Sequence, residues 1–186
     1  MAHSVCPWWI GYLLASPVRK WIGQDPEKIL APYVREGMTV LEPGPGMGFF
    51  TIALARLVGA SGRVIAVDLQ PKMIAGLKRR AAKAGLIDRI DARVTSAETM
   101  GIGDLDGKVD FTLAFAMVHE FPDAAHFFGE VARASKQNAR LLLAEPKGHV
   151  DEQKFAAELA AAASFGFEVG ERPAIHRSVS ALLVKK

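Results

Sequence analysis

The sequence predicts an α/β fold built on a mostly parallel sheet, and three observations carry that expectation. From residue 38 onward, short apolar runs of strand length alternate with amphipathic runs of helical period. One of the short runs, Phe111 to Phe115, is apolar almost throughout, as a strand covered on both faces should be. The last two β-like segments, 167–175 and 178–184, follow each other with no helix between them, which ends the sheet antiparallel.

Taken in order, Asp25-Pro26-Glu27 reads as a helix start: a capping acid, then proline at the first position, then an acid in the first turn. That helix is expected to run to about Val34 and stop near Gly37. Met38 to Leu41 is the first strand, and Phe49 to Val58 a helix after a glycine loop. Gly62 turns the chain into a second strand, Arg63 to Val67. Pro71 opens a helix ending at Gly85, and Ile90 to Val94 is the third strand. Phe111 to Phe115 is the fourth. Asp123 starts a helix expected to reach about Lys136, with a fifth strand at Leu141 to Ala144. Asp151 to Ser164 is an alanine-rich helix stopped by Gly166. The sum is a Rossmann-like, doubly wound, mostly parallel seven-stranded sheet with an antiparallel C-terminal strand and helices on both faces.

The 186 residues suit a single domain. Within it, 1–37 reads as an N-terminal helical lid or cap and 38–186 as the ligand-binding domain. Half the residues are hydrophobic and 23% are charged, a globular profile. The formal charge of +3 is only weakly basic and gives no strong nucleic-acid signal. The densest basic run, Lys78, Arg79, Arg80 and Lys83, reads as a solvated helix face. A lone cysteine, Cys6, excludes an internal disulfide, and no CxxC pair exists to hold zinc. No apolar stretch is long enough to cross a membrane, and the expected location is the cytoplasm.

The richest stretch runs from Thr39 to Phe49, where a strand enters glycines at 44, 46 and 48 and a helix follows. Glycine lets the backbone turn sharply and lets a ligand approach the main chain. The helix N-terminus beyond offers free N–H groups and a partial positive charge. A dinucleotide fingerprint would put its third glycine at residue 49, which is Phe49. The spacing here is G-x-G-x-G, with Glu42 two residues before it. Asp68 closes the second strand, Val64 to Asp68. An acid there either accepts two hydrogen bonds from a ribose diol or caps the helix opened by Pro71.

This pattern resembles the class I S-adenosylmethionine-dependent methyltransferases, especially the small-molecule type that includes quinone-biosynthesis enzymes. Val40 to Gly48 and Val64 to Asp68 carry the resemblance, with weaker support from Ser96-Ala97-Glu98 and from Asp110 to Phe121. The resemblance implies S-adenosyl-L-methionine as cofactor. It implies that Gly44, Gly46 and Gly48 lie against the methionine part and that Glu42 supports the loop and touches the amino group. Asp68 would hold the ribose hydroxyls, and Leu69 would pack on adenine. Ala97 and Glu98 would meet the adenine edge, and the Ala116 carbonyl the methionine amino group. The Ser-Ala-Glu triplet departs from the commoner acidic-residue-plus-alanine form.

A methyl group on a sulfonium is already an activated electrophile, so transfer needs positioning and water exclusion more than a catalytic triad. A base is needed only if the acceptor has a proton to lose. His119 and Glu145, after the fourth and fifth strands, are the candidate catalytic residues; a packed histidine and a loop-capping acid are the alternatives. Met117 and, from the N-terminal segment, Trp8, Trp9 and Tyr12 are the candidate substrate contacts. That segment reads as a lid, as core packing or as a membrane-surface contact. No metal is expected. His119-Glu120 has Asp123 rather than histidine at the fourth position onward, and Pro122 breaks the helix such a pair needs. The Asp/Asn-Pro-Pro-aromatic motif of the family's nucleobase and glutamine amino-group methylases is replaced by Ala116-Met117-Val118-His119. The expected partner is a small-molecule methyl acceptor, with RNA or protein acceptors, or cofactor binding without transfer, as alternatives.

Overall fold

The computed structural model describes residues 24–121 and 123–186. Trp8, Trp9, Tyr12 and most of the expected lid segment 1–37 lie outside them. Seven strands form one sheet in the order β3-β2-β1-β4-β5-β7-β6, where β1 is Thr39–Pro43, β2 Arg63–Asp68, β3 Ile90–Val94, β4 Val109–Phe115, β5 Ser135–Pro146, β6 Phe167–Glu171 and β7 Ser178–Lys185. The expected α/β fold, with its antiparallel end, is therefore present. The chain divides between Gly101 and Ile102 into two compact units.

In the first unit, β1 and β3 both pair with β2 in parallel. The helices are α1 (Pro26–Leu30), α2 (Thr51–Leu57) and α3 (Pro71–Lys83). Asp25 caps α1 by accepting from the Glu27 N–H, as the sequence implied. The helix ends at Leu30 rather than near Val34. Pro32 has no N–H, and its ring clashes with the preceding turn, so only hydrogen-bonded turns continue. Helix α3 packs its buried Met73, Ile74 and Leu77 against β2 and β3. Leu41, Leu54, Ile65 and Leu77 are completely or almost completely buried in this unit.

In the second unit, β4 and β5 are parallel, while β5 with β7 and β6 with β7 are antiparallel. Its helices are α4 (Ala124–Ala134) and α5 (Glu152–Ala163). Asp123 caps α4 by accepting from Ala125 and His126, and Asp151 caps α5 by accepting from Lys154. Two expected boundaries are corrected here. Helix α4 stops at Ala134, and β5 begins at once at Ser135 rather than at Leu141. The polar run Lys136-Gln137-Asn138 hid the strand. Pairing with β4 runs from Val109 with Ser135 to Phe111 with Arg140, so the extra residues bulge out, and Asn138 takes φ 63°. Strand β6 ends at Glu171 rather than Ile175, ahead of Pro173, which has no N–H for the ladder. Phe111, Phe127, Phe128, Phe155 and Phe167 fill this unit's core.

Gly62 sits in the narrowest turn of the first unit. A Cβ there would lie 2.5 Å from the Val58 carbonyl oxygen and 2.7 Å from that of Met38. Both oxygens are already engaged, by the N–H groups of Gly37 and Arg63. Backbone cannot yield as a side-chain tip can. Gly62→Ala is therefore expected to destabilise the chain by about 1–3 kcal/mol in chemical denaturation, as overpacking does; an unchanged midpoint would show that the turn is looser than this.

Candidate functional site

Within the first unit, the glycine loop leaves β1 and turns on left-handed backbone. Gly44, Gly46 and Gly48 have φ 66°, 55° and 85°, where other residues are strained. Their surroundings differ. Gly46 faces open space, with nothing within 4 Å of where a Cβ would point. Gly48 is buried, and a Cβ on it would run into Cδ1 of Leu77 on α3. Gly44 is exposed and donates its N–H to the Val67 carbonyl at 2.9 Å. So Gly44 and Gly46 keep an open turn, while Gly48 lets the loop seat against α3.

Asp68, at the end of β2, holds the loop from the other side. Its Oδ2 accepts from the Gly46 N–H at 3.3 Å, and its Oδ1 accepts from the Gln70 N–H at 2.8 Å. The carboxylate thus caps the turn into α3 and pins the glycine loop with the same two oxygens. Leu69, next to it, is 38% exposed, an apolar surface beside the acid. Ala97 and Glu98, after β3, are exposed; the Glu98 N–H donates to Ser96 Oγ, and the Ser96 hydroxyl holds the Glu98 carboxyl below its usual range.

Glu42 is buried beneath the loop, and its Oε2 has no hydrogen-bond partner. Burial pushes its pKa up to about 8; Thr51 opposes this, and the negative charge of Asp68 adds to it. One supporting residue was missed in the sequence. Arg80, expected on a solvated face with Lys78, Arg79 and Lys83, is only partly exposed and donates from Nη1 to the Met47 carbonyl at 3.1 Å. Burial lowers its pKa. Its spacing on α3 places it one turn past Leu77, but only packing could reveal that it reaches back to the loop.

The second unit carries a separate cluster. Ala116, just past β4, has φ 56°, a strained value for a residue with a Cβ, and its N–H donates to the Ala144 carbonyl at 2.7 Å. That kink turns Met117 and Val118 toward β5. Glu145 on β5 is fully buried; its Oε1 accepts from the N–H groups of Val118 at 2.8 Å and Met117 at 3.3 Å. Its Oε2 accepts from Nδ1 of His119. The sequence placed His119 and Glu145 apart by 26 residues, and the fold makes them a pair. This hydrogen bond raises the His119 pKa above the ordinary imidazole value; burial opposes it, and the charges of Glu145, Glu120 and Glu158 reinforce it. The His149 ring lies 5.4 Å from that of His119, tilted by 57°. Met117, an expected substrate contact, is buried in the core at 5% exposure. Among the described residues no three His, Cys, Asp or Glu side chains are arranged to hold a metal ion, and no helix is long and apolar enough to cross a membrane.

The sequence matches the family model described as a methyltransferase domain, over residues 34–172. This chain belongs to the methyltransferase domain family. It is 30% identical over 112 residues to a ubiquinone/menaquinone biosynthesis C-methyltransferase UbiE from Marinomonas sp., covering 60% of this chain and 44% of that protein. It is also 30% identical over 112 residues to an arsenite methyltransferase from Halobacterium salinarum, covering 59% and 27%. The chain thus spans less than half the length of these curated relatives. A crystal structure of a SAM-dependent methyltransferase from Aquifex aeolicus superposes with a TM-score of 0.84 at 25% identity, covering 97% of this chain and 98% of that one. These likenesses indicate S-adenosylmethionine as the cofactor. The residues present fit it: an open left-handed turn at Gly46, the Asp68 carboxylate held at that turn, an exposed Leu69, and an orphaned buried oxygen on Glu42.

Glu42 makes stability depend on pH. Its pKa is higher in the folded chain than unfolded, so the folded state retains a proton that the unfolded state loses. Stability therefore falls as pH rises from the ordinary carboxyl range to about 8. Glu42→Gln, which cannot ionise, is expected to lose this slope, and its stability relative to the native chain should rise between pH 5 and pH 8 by at most a few kcal/mol (roughly). Thermal denaturation across that range checks it; parallel curves for the two proteins would mean that Glu42 ionises normally.

Proposed function

We propose that this chain transfers the methyl group of S-adenosylmethionine to a small-molecule acceptor by in-line displacement. The observation that carries this reading is the glycine turn clamped by the Asp68 carboxylate in a chain of the methyltransferase family. When bound, the cofactor supplies a sulfonium-activated methyl group. The protein's part is binding, orientation and proton handling.

In this reading Gly44 and Gly46 let the methionine part approach the main chain, and Gly48 seats the loop. Asp68 accepts from the ribose hydroxyls while its hydrogen bonds to Gly46 and Gln70 keep it aimed. Leu69 packs on the adenine, whose edge meets Ala97 and Glu98. Glu42 takes an N–H of the cofactor amino group on its orphaned oxygen. In this reading Trp8, Trp9 and Tyr12 supply apolar contacts to the acceptor.

His119 is the base for an acceptor that has a proton to lose, and Glu145 is its positioning residue. Because Glu145 accepts at Nδ1, the neutral ring carries its proton there, and Nε2 presents a lone pair. The Met117 and Val118 N–H groups hold Glu145 in place. The new bond forms between the acceptor atom and the methyl carbon. The bound cofactor would supply the methyl group and keep the pair of the broken sulfur–methyl bond on its sulfur, while His119 would receive the acceptor's proton on Nε2. The cytoplasmic location expected from the sequence, with its single cysteine, belongs to the same proposal.

Calorimetric titration with S-adenosylhomocysteine, with NADH as the control, tests the reading. Binding of the first alone supports it; binding of NADH instead would sink it. Asp68→Ala is expected to weaken S-adenosylhomocysteine binding by about 1.5–3 kcal/mol, the worth of a charge-assisted contact, and unchanged affinity in a folded variant would remove Asp68 from the ribose site. With an acceptor found by screening, turnover should rise with pH as His119 loses its proton, and the rise should lie above the ordinary imidazole range. His119→Asn should lower turnover by about 10²-fold or more while S-adenosylhomocysteine affinity stays unchanged. A fully active variant would exclude His119 as the base.

A further inference from the structure

The second unit sets two imidazole rings side by side. His119 stands in the turn after β4, and His149 in the loop between β5 and α5. Their ring centroids lie 5.4 Å apart, with the planes tilted by 57°. That spacing has a chemical meaning. A tetrahedral ion bonded at about 2.0–2.1 Å to one nitrogen of each of two imidazoles holds the ring centres roughly 5–5.5 Å apart. The supports of the two rings differ in a way that suits such an ion. Glu145, fully buried and fixed by the N–H groups of Met117 and Val118, bonds Nδ1 of His119. A carboxylate on one ring nitrogen orients the ring and raises the basicity of the other nitrogen, as outer partners of metal-binding histidines do. His149 is exposed, so its ring is free to turn, while its backbone is held: its N–H donates to the Pro146 carbonyl at 2.9 Å, and its carbonyl accepts from Lys154 Nζ at 3.5 Å.

We propose that Nε2 of His119 and the His149 ring form a two-histidine site for a divalent transition-metal ion of the zinc class. Imidazole favours such ions over magnesium and calcium, which take oxygen ligands. Among the described residues no third His, Cys, Asp or Glu side chain completes the set. Two of the four positions are therefore left to water or to a small donor molecule. An ion held by two protein ligands exchanges with the solution, unlike a structural ion enclosed by four. The site goes beyond the methyltransferase reading and does not depend on it. The two meet at one atom, because the Nε2 lone pair that takes the acceptor's proton is the one that binds the ion. Occupancy therefore excludes the base role, and the ion inhibits any transfer that needs His119 as base. With the ring proton on Nδ1, neutral His119 offers Nε2 to the ion without losing a proton. A protonated ring cannot bind, and the bond to Glu145 raises the His119 pKa, so binding is followed on the alkaline side of neutrality.

The test is an NMR titration of the full-length chain with zinc chloride at about pH 8, following the imidazole ring signals, with magnesium chloride as the control. The chain has five histidines, and the two signals in question are assigned by their loss in His119→Asn and His149→Ala. Zinc should shift both rings together, saturating at one ion per chain, while magnesium shifts neither. In His149→Ala the zinc concentration that half-shifts His119 should rise by at least the roughly tenfold that loss of an outer partner costs a metal site. His149 is exposed, so this variant leaves the core intact. Zinc that moves neither ring, or only one of them, would overturn the proposal, and so would a His119 response unchanged in His149→Ala. No cofactor enters this experiment. A failure to bind S-adenosylhomocysteine would defeat the methyltransferase reading and leave the metal site standing, and rings that ignore zinc would do the reverse.

Discussion

The hydrogen bond from the Gly46 N–H to the Asp68 carboxylate is the contact on which the first unit's loop depends. Three residues of the loop hold left-handed backbone, a conformation that glycine permits but does not enforce. Left alone, such a loop would sample many shapes, at a cost in conformational entropy when any ligand fixed one of them. Asp68 removes much of that freedom. It is carried by β2, which is held in parallel register beside β1, so the acid and the loop reach the same end of the two strands together. Arg80 adds a second tie, to the Met47 carbonyl, and Leu77 packs behind Gly48. The turn is thus shaped before any ligand arrives.

Three buried glutamates show how environment divides the work of one residue type. Glu145 accepts three hydrogen bonds and orients a histidine. Glu42 and Glu158 each leave an oxygen without a partner, and both have raised pKa values, driven first by burial. A satisfied buried acid serves as scaffold. An unsatisfied one remains responsive to a proton or to a donor brought by a ligand, at a standing cost to stability. The strain at Ala116 belongs with Glu145, because the kink it makes brings two N–H groups onto that carboxylate.

Much of the fold was legible because its signals are local. Asp25, Asp123 and Asp151 cap their helices as their positions implied, and the apolar strands fall where period and composition put them. The misplaced boundaries share a cause. Pro32 ended α1 early, Pro173 ended β6 early, and the polar run at 136–138 concealed the start of β5, which tolerates those residues only because a bulge absorbs them. Of the candidate site, the left-handed glycine turn and the place of Asp68 at the end of β2 were legible through spacing. Arg80 was not, because a half-buried arginine and a solvated one look alike in a basic helix face.

The sequence by itself determined the order of strands and helices, the antiparallel ending, the glycine turn and the acid that follows it. Each of these depends on residue type and short-range spacing, which physical chemistry constrains within a few residues. Only the tertiary structure decided that Asp68 grips Gly46 as well as the start of α3, that Glu145 reaches His119, and that Glu158 is buried with an unpartnered oxygen. The two contacts join residues 22 and 26 positions apart along the chain, and no local rule sets which side chains meet across strands. Packing sets it, and packing also decides which buried acid finds its donors and which does not.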